Sequence, residues 1–320
     1  MDEGDQGIGW LLQSKDTSVR YLTLTDLLDE PPESSRAARL RKEIVRGPRV
    51  KKLLAGQRAD GGFGVHPYQK WTGAHWRLVS LVELGIPVGN RRAVAAANQV
   101  LRWLGGSAFH SSIVEINGLT RRHASMEGNA VAVCSRLGLA RDERVAALAN
   151  SLIEWQWPDG GWNCDTRPEA DHSSFYESLS PLWGLTEYHK ASADREALRT
   201  AEKTAELFLR HRMFRAESTG EVIKSEWLKL HYPLYWHYDV LQGLLMLSRL
   251  DGLADSRTKE ALDIIESKRL PNGCWRPGGY YWYPPGKKKS NLEVVDWGRS
   301  GPNEMITLNS LRVLKSSGRL

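Results

Sequence analysis

Gln57-Arg58-Ala59-Asp60-Gly61-Gly62-Phe63-Gly64 returns twice along the chain, as Gln156-Trp157-Pro158-Asp159-Gly160-Gly161-Trp162-Asn163 and as Arg269-Leu270-Pro271-Asn272-Gly273-Cys274-Trp275-Arg276. Each copy joins an Asp-Gly or Asn-Gly turn to an aromatic side chain and follows an amphipathic helical stretch. A repeat of this kind sets the architecture before any single residue is interpreted. Glycine takes positive φ without steric cost, Asp or Asn opens the turn, and the aromatic ring wedges between neighbouring helices. Gln57 and Gln156 are expected to bond the free N–H groups of the next helix. The turn residues therefore read as structural.

Between the turns a second pattern recurs. A rather apolar helix ends in Leu-Gly or its equivalent, and a charged amphipathic helix follows. The pairs fall at 17–29 with 34–55, 73–85 with 91–104, 124–138 with 142–156, 173–188 with 194–212, and 235–250 with 255–268. Asp142 is the expected N-cap of its helix. A last helix, 303–316, lacks a following partner, which 7–13 is placed to supply. The apolar members predict inner helices touching two layers; the others, such as 197–208 with Ala197, Ala201, Ala205 and Phe208 on one face, predict outer helices. The only strand signal taken up is a hairpin around 214–227 with Thr219-Gly220 at its turn. The class is all-α, in one domain spanning 1–320.

The 320 residues are 41% hydrophobic and 26% charged, an ordinary globular composition. A net charge of +6 is spread along the chain, with no helix-turn-helix or RNA-recognition motif, so no nucleic-acid partner is expected. Three widely spaced cysteines, Cys134, Cys164 and Cys274, argue for a reducing compartment and against a disulfide framework. With an acidic N-terminus and no apolar run of about 18 residues, the expectation is a cytoplasmic protein without a transmembrane segment.

The repeat turns resemble the Gln-Trp motifs of the terpenoid cyclase and protein prenyltransferase superfamily, and more narrowly the squalene-hopene cyclase-like prenyltransferase/squalene oxidase repeat proteins. Lys70-Trp71-Thr72, Trp162-Asn163-Cys164-Asp165 with His172-Ser173-Ser174-Phe175, Trp236-His237-Tyr238-Asp239, and Thr307-Leu308-Asn309-Ser310 carry the likeness over roughly residues 15–316. It implies an (α/α)6 toroid, an alpha/alpha barrel of inner and outer helices around a central cavity. The superfamily's DxDD and DDxxD motifs are missing. Its zinc-binding Asp-Gly-Cys turn corresponds to Asn272-Gly273-Cys274, with Glu304 where the family has His, so that zinc site is not expected.

If the inner helices aim their N-terminal turns into a cavity, its lining includes Lys70, Trp71, His75, Trp76, His123, Glu127, Asn129, Asp171, His172, Tyr176, Glu177, Tyr235, Trp236, His237, Tyr238, Asp239 and Glu304. Buried ionisable groups need partners or acquire shifted pKa values suited to proton transfer. The candidate acid–base set is Asp239 as acid, His237 and His172 as relay, with Glu127 and Glu177. Trp71, His75, Trp76, Tyr176, Tyr235, Trp236, Tyr238 and Glu304 are the candidate substrate wall. No organic cofactor is expected; the metal alternative is zinc on Cys164, His172 and His237 with Asp165 or Asp171. Residues 277–290, rich in Gly, Pro, Tyr and Lys, read as a lid, with Lys287–Lys289 facing a diphosphate or a peripheral membrane surface.

The expected function is a terpene-cyclase-like isomerase or lyase acting on a hydrophobic, isoprenoid-like substrate. The alternatives are a non-catalytic ligand-binding or scaffold protein, a carbohydrate-active enzyme with paired carboxylates, and a zinc-dependent prenyltransferase-like enzyme.

Overall fold

The computed structural model describes residues 3–250, 252–287 and 289–320. Its helices are α1 (Glu3–Leu12), α2 (Thr17–Leu22, continued by a π-helical turn Thr23–Leu27), α3 (Ser35–Glu43), α4 (Pro48–Leu54), α5 (Ala74–Glu83), α6 (Arg91–Leu104) and the short α7 (Ser107–His110). After a hairpin, β1 (Val114–Ile116) and β2 (Leu119–Arg121), come α8 (Ala124–Arg136), α9 (Glu143–Glu154), α10 (Phe175–Ser192), α11 (Arg195–Arg210), α12 (Val240–Leu247), α13 (Lys259–Ser267) and α14 (Glu304–Ser316). The protein is mostly helical, as the periodicity predicts, and no described helix is long and apolar enough to cross a membrane.

Consecutive helices pack as pairs: α2 with α3, α5 with α6, α8 with α9, α10 with α11, and α12 with α13. The first member of most pairs is a core helix; in α5 every residue from Ala74 to Val82 is buried. The second members bury one stripe, such as Ala93, Ala96, Ala97, Val100, Leu101 and Leu104 of α6. Core helix α8 touches α5 and α10, α12 touches α10 and α14, and α14 touches α2 and α1. Side chains cap the flanking helices: Asn90 accepts from Ala93 N, Asp142 from Arg144 N and Asp194 from Ala197 N.

The three repeated turns make the same bonds. The residue two before the Asp or Asn donates across the turn (Arg58 N to Gly62 O, Trp157 N to Gly161 O, Leu270 N to Cys274 O, each 2.8 Å). Gly61, Gly160 and Gly273 hold φ of 86°, 105° and 74°. A Cβ on Gly61 would lie 2.1 Å from Ala95 O of α6, and one on Gly160 2.5 Å from Lys203 O of α11, so two turns rest backbone to backbone on the next flanking helix. The third turn has α1 there instead, since a Cβ on Gly7 would lie 2.4 Å from Gly273 O. The aromatic residue then caps the helix behind it. Trp162 Nε1 donates to Leu152 O (3.1 Å) and Trp275 Nε1 to Ile265 O (2.7 Å), the same spacing in each copy. Phe63 has no donor, and the equivalent carbonyl, Leu53 O, is bonded by Arg77 Nη1 (3.1 Å), whose guanidinium lies over the Phe63 ring.

Four expectations are corrected. Gln57 and Gln156 donate rather than accept: Nε2 of each reaches a turn carbonyl (Gly61 O, Gly160 O) and a carbonyl of the next flanking helix (Arg92 O, Thr200 O). The helix expected at 34–55 breaks at Gly47-Pro48, where Pro48 opens α4. The helix expected from 235 begins only at Val240, because Pro233 and the positive φ of Tyr235 keep 230–239 irregular. The 214–227 hairpin shrinks to a bridge between Arg215 and Val222. The regular hairpin lies at β1–β2 instead, turned by Asn117 (φ 53°) and Gly118 (φ 73°), the residue pair that favours such turns.

The closest helix crossing is α8 on α10. A Cβ on Gly128 would sit 2.3 Å from Pro181 N, and one on Gly184 2.4 Å from Gly128 O. Gly184→Ala is expected to destabilise the protein by about 1–3 kcal/mol, because backbone rather than a yielding side chain meets the methyl group. Gly9→Ala, with open space around it, is expected to be neutral or mildly stabilising, both variants being read against wild type by urea titration.

Candidate metal centre

Aromatic side chains fill the space where the core helices begin. Trp71 stacks on Tyr235 (3.8 Å between centroids, 1° apart), His237 on Tyr281 (3.4 Å) and on Trp236 (3.9 Å), and Trp71 Nε1 donates to Tyr281 O. Segment 277–290 thus covers this end, with Tyr281 and Trp282 packed into it; Trp282 Nε1 donates to Tyr232 O (3.0 Å). Of the expected basic tip, Lys288 lies outside the described residues. Trp76 packs edge-on against Trp71. His75 is buried among Tyr68, Trp76 and Trp103, and desolvation pushes its pKa down to about 3, so it stays neutral.

The expected acid–base set does not assemble. Asp239 is the N-cap of α12, accepting from Gln242 N (2.9 Å) and His231 N (2.8 Å), with His231 Nδ1 3.2 Å away. Its carboxylate is saturated and buried, so it serves as a cap and not as an acid facing a ligand. His231 is the partner that sequence reading missed. Burial opposes its charge, but Asp239 and Glu226 prevail and raise its pKa. His237 bonds Leu234 O instead, and desolvation lowers its pKa to about 4. His172 is at the surface, 81% exposed, beside Asp171. Glu127 is buried in a two-bond pair with Arg122, Tyr238 donates to Met213 O, and Glu304 pairs with Arg49 and accepts from Ser14.

The structure gathers a different set. His123, Cys164 and Glu177 are the group of metal-ligating side chains among the described residues, with ligand atoms within 4.8 Å of one another. Three elements deliver them. Arg122 N, just after β2, donates to Asn163 O (2.9 Å), and this bridge sets the end of the hairpin beside the second repeat turn, bringing His123 to Cys164. Glu177, in the first turn of α10, reaches the open N-terminus of α8, where its Oε2 accepts from Ser125 N (2.9 Å). Its Oε1 lies 3.2 Å from His123 Nδ1.

Hydrogen bonding of the imidazolium to Cys164 and then to Glu177 raises the His123 pKa to about 10. Glu177 is buried, Cys164 half-buried and His123 60% exposed. Thiolate, imidazole and carboxylate are a zinc set, and tetrahedral bonds of about 2.0–2.3 Å place neighbouring ligand atoms about 3.3–3.7 Å apart, against 3.2 Å for His123 Nδ1 and Glu177 Oε1 and at most 4.8 Å within the group. Cys164 was in the expected metal set, but His172 and His237 are replaced by His123 and Glu177. Cys274 is buried against Asn272 O and joins no such group among the described residues.

Beside the centre lies an open groove of about 910 Å³. Asn163 and Asp165, flanking Cys164, and Tyr176, preceding Glu177, line it together with Phe175, Ile223 and Trp227. Asp159, also in its wall, accepts from Ser173 N and Oγ, and Asp165 is paired with Arg167, so its carboxylates are already engaged. Two cavities between the core helices are small: about 30 Å³ near Asn129, Tyr235 and Gln242, and about 10 Å³ near His75 and Cys134. These hold water at most.

Removing the Asp239 carboxylate is expected to cost stability. Asp239→Ala loses the cap and leaves His231 buried with its charge half-compensated, for about 3–5 kcal/mol. Asp239→Asn keeps the cap and costs less. Because the folded His231 pKa is raised, its contribution is fully present below about pH 6.5 and lost as pH rises through the folded value. The gap between wild type and Asp239→Asn in urea titrations should therefore narrow on going from pH 5.5 to pH 9.

No protein-family model matches this chain, and no curated protein matches it. A solved structure of a protein from Actinoplanes aligns over 99% of this chain and 98% of that chain, at 16% sequence identity and a TM-score of 0.45, a likeness too low to carry an argument about either fold or activity.

Proposed function

We propose that the protein is a zinc-dependent enzyme on an (α/α)6 toroid, with the metal held by His123, Cys164 and Glu177. The toroid reading is supported by the repeated helix pairs, by α14 returning to α2 and α1, and by α1 receiving the third repeat turn as α6 and α11 receive the first two. The metal reading rests on one observation: three side chains of the right chemistry, from three separate elements, converge within 4.8 Å.

Zinc with three protein ligands keeps a fourth position for water or substrate, lowers the pKa of that water and polarises a carbonyl or phosphoryl oxygen. The chain's own groups support such a centre. Ser125 N orients Glu177 from behind, as outer partners of metal ligands do. Burial, and then the charges of Glu177 and Cys164, raise the pKa of Tyr68, which keeps its phenol protonated. The groove's apolar wall of Phe175, Tyr176, Ile223 and Trp227 suits the hydrophobic, isoprenoid-like part of a substrate, with its reacting end toward the metal. The 910 Å³ groove favours chemistry at this mouth over the two small cavities beneath the aromatic stack.

The purified full-length chain is expected to bind one zinc per molecule, with affinity falling as pH is lowered because the metal displaces the proton held at His123. Cobalt substitution should give a thiolate-to-metal charge-transfer band, and Cys164→Ser and His123→Asn should each remove the band and weaken zinc binding at least tenfold. Unchanged zinc affinity in both variants, or no binding at micromolar zinc, overturns the reading.

A further inference from the structure

At the opposite end, where the core helices finish, six charged side chains from six different segments surround a cavity of about 300 Å³. They are Asp26 of the π-helical turn, Glu83 at the end of α5, Arg136 at the end of α8, Glu187 of α10, Arg249 just after α12, and Arg312 of α14. None belongs to the metal centre, and none was singled out by sequence reading. Four are matched in pairs. Arg312 Nη2 meets Asp26 Oδ2 at 2.5 Å, and Arg249 pairs with Glu187.

The remaining two are not a pair. Glu83 accepts from the Tyr232 hydroxyl (3.1 Å), and burial raises its pKa toward the neutral form. Arg136 makes no ion pair or hydrogen bond among the described residues, although its charge is felt by Asp26, Glu83, Glu187 and Arg249. Beyond the two matched pairs and the Glu83–Tyr232 bond, the Arg136 guanidinium faces a polar cavity large enough for a small ligand with no ion-pair or hydrogen-bond partner among the described residues. A guanidinium presents a planar fork of donors that matches the oxygens of carboxylate or phosphate.

We propose that this cavity binds a small molecule carrying an oxyanion, carboxylate or phosphate, with Arg136 as its principal anchor. The Arg249–Glu187 and Arg312–Asp26 pairs hold the walls, and Asn309 and Ser316 supply neutral polar groups around the ligand. The partial negative charge at the ends of the surrounding helices opposes the anion, so weak, millimolar affinity is the expectation.

The test uses the full-length protein and two probes, inorganic phosphate and succinate, in thermal-shift titrations at constant ionic strength against chloride. At least one probe should raise Tm saturably. Arg136→Gln should shift the midpoint at least tenfold, and Arg136→Lys less. Arg141→Gln, at an exposed position, should leave it unchanged. A response by phosphate alone, succinate alone or both supports the site and identifies the oxyanion. Should Arg136→Gln fail to fold, crystals of the unmodified protein soaked in tungstate give the direct answer, with an anomalous peak beside the Arg136 guanidinium. Neither probe acting, an equal response in Arg136→Gln, or no peak at Arg136 overturns the proposal.

Discussion

A glycine without a Cβ, held at positive φ, is the constraint from which the rest of this structure follows. At Gly61 and Gly160 the turn lies so close to a carbonyl of the next flanking helix that no side chain fits. The same turn delivers an aromatic residue to the end of the preceding helix, where an indole N–H satisfies a carbonyl left over by helix geometry. One short motif thus ties three successive elements together. The first copy preserves the bond by other means: Arg77 donates to Leu53 O while stacking on Phe63, so the carbonyl is satisfied although the ring has no donor.

The same demand for close packing explains why the centre is full. Gly128 and Gly184 let α8 and α10 approach at backbone distance, and the aromatic stack of Trp71, Tyr235, Trp236, His237 and Tyr281 fills the space where the core helices start. Aromatic rings bury large apolar areas and prefer such stacked and edge-on contacts. Side chains that read as a substrate wall therefore pack on one another, although Tyr235 Oη, Trp236 Nε1 and His75 Nε2 are buried without a hydrogen-bond partner among the described residues. The ionisable residues among them follow the same rule: Asp239 with His231 and Glu127 with Arg122 are matched donors and acceptors, as burial of charge requires.

Two clusters of charged or ligating side chains stand apart from those pairs, at opposite ends of the core helices. At the starting end, thiol, imidazole and carboxylate converge within 4.8 Å. At the finishing end, a ring of acids and arginines closes in two ion pairs, with Glu83 bonded to Tyr232 and Arg136 outside both pairs. A folded protein tolerates unmatched polar groups sparingly, since each one facing a low-dielectric wall costs free energy. Sites of this kind are where ligand chemistry is expected.

The helical class, the boundaries of α6 and α9 to within a residue or two, and the positions of the three turns were legible in the amino-acid order, because each depends on neighbours three or four residues apart or on the conformational freedom of one glycine. Cys164 was legible as a member of a candidate metal set, and the Asn117-Gly118 signal for a hairpin was present but not taken up. The partners were not legible. His231 rather than His237 reaches Asp239 because Pro233 and Tyr235 break the expected helix. His123 reaches Cys164 because β2 pairs with the second turn across forty-two residues. Arg312 meets Asp26 across 286 positions because α14 returns beside the first core helix. Local periodicity determines which elements form; only the packing of those elements decides which side chains meet, because contact between distant segments depends on the shape of everything between them.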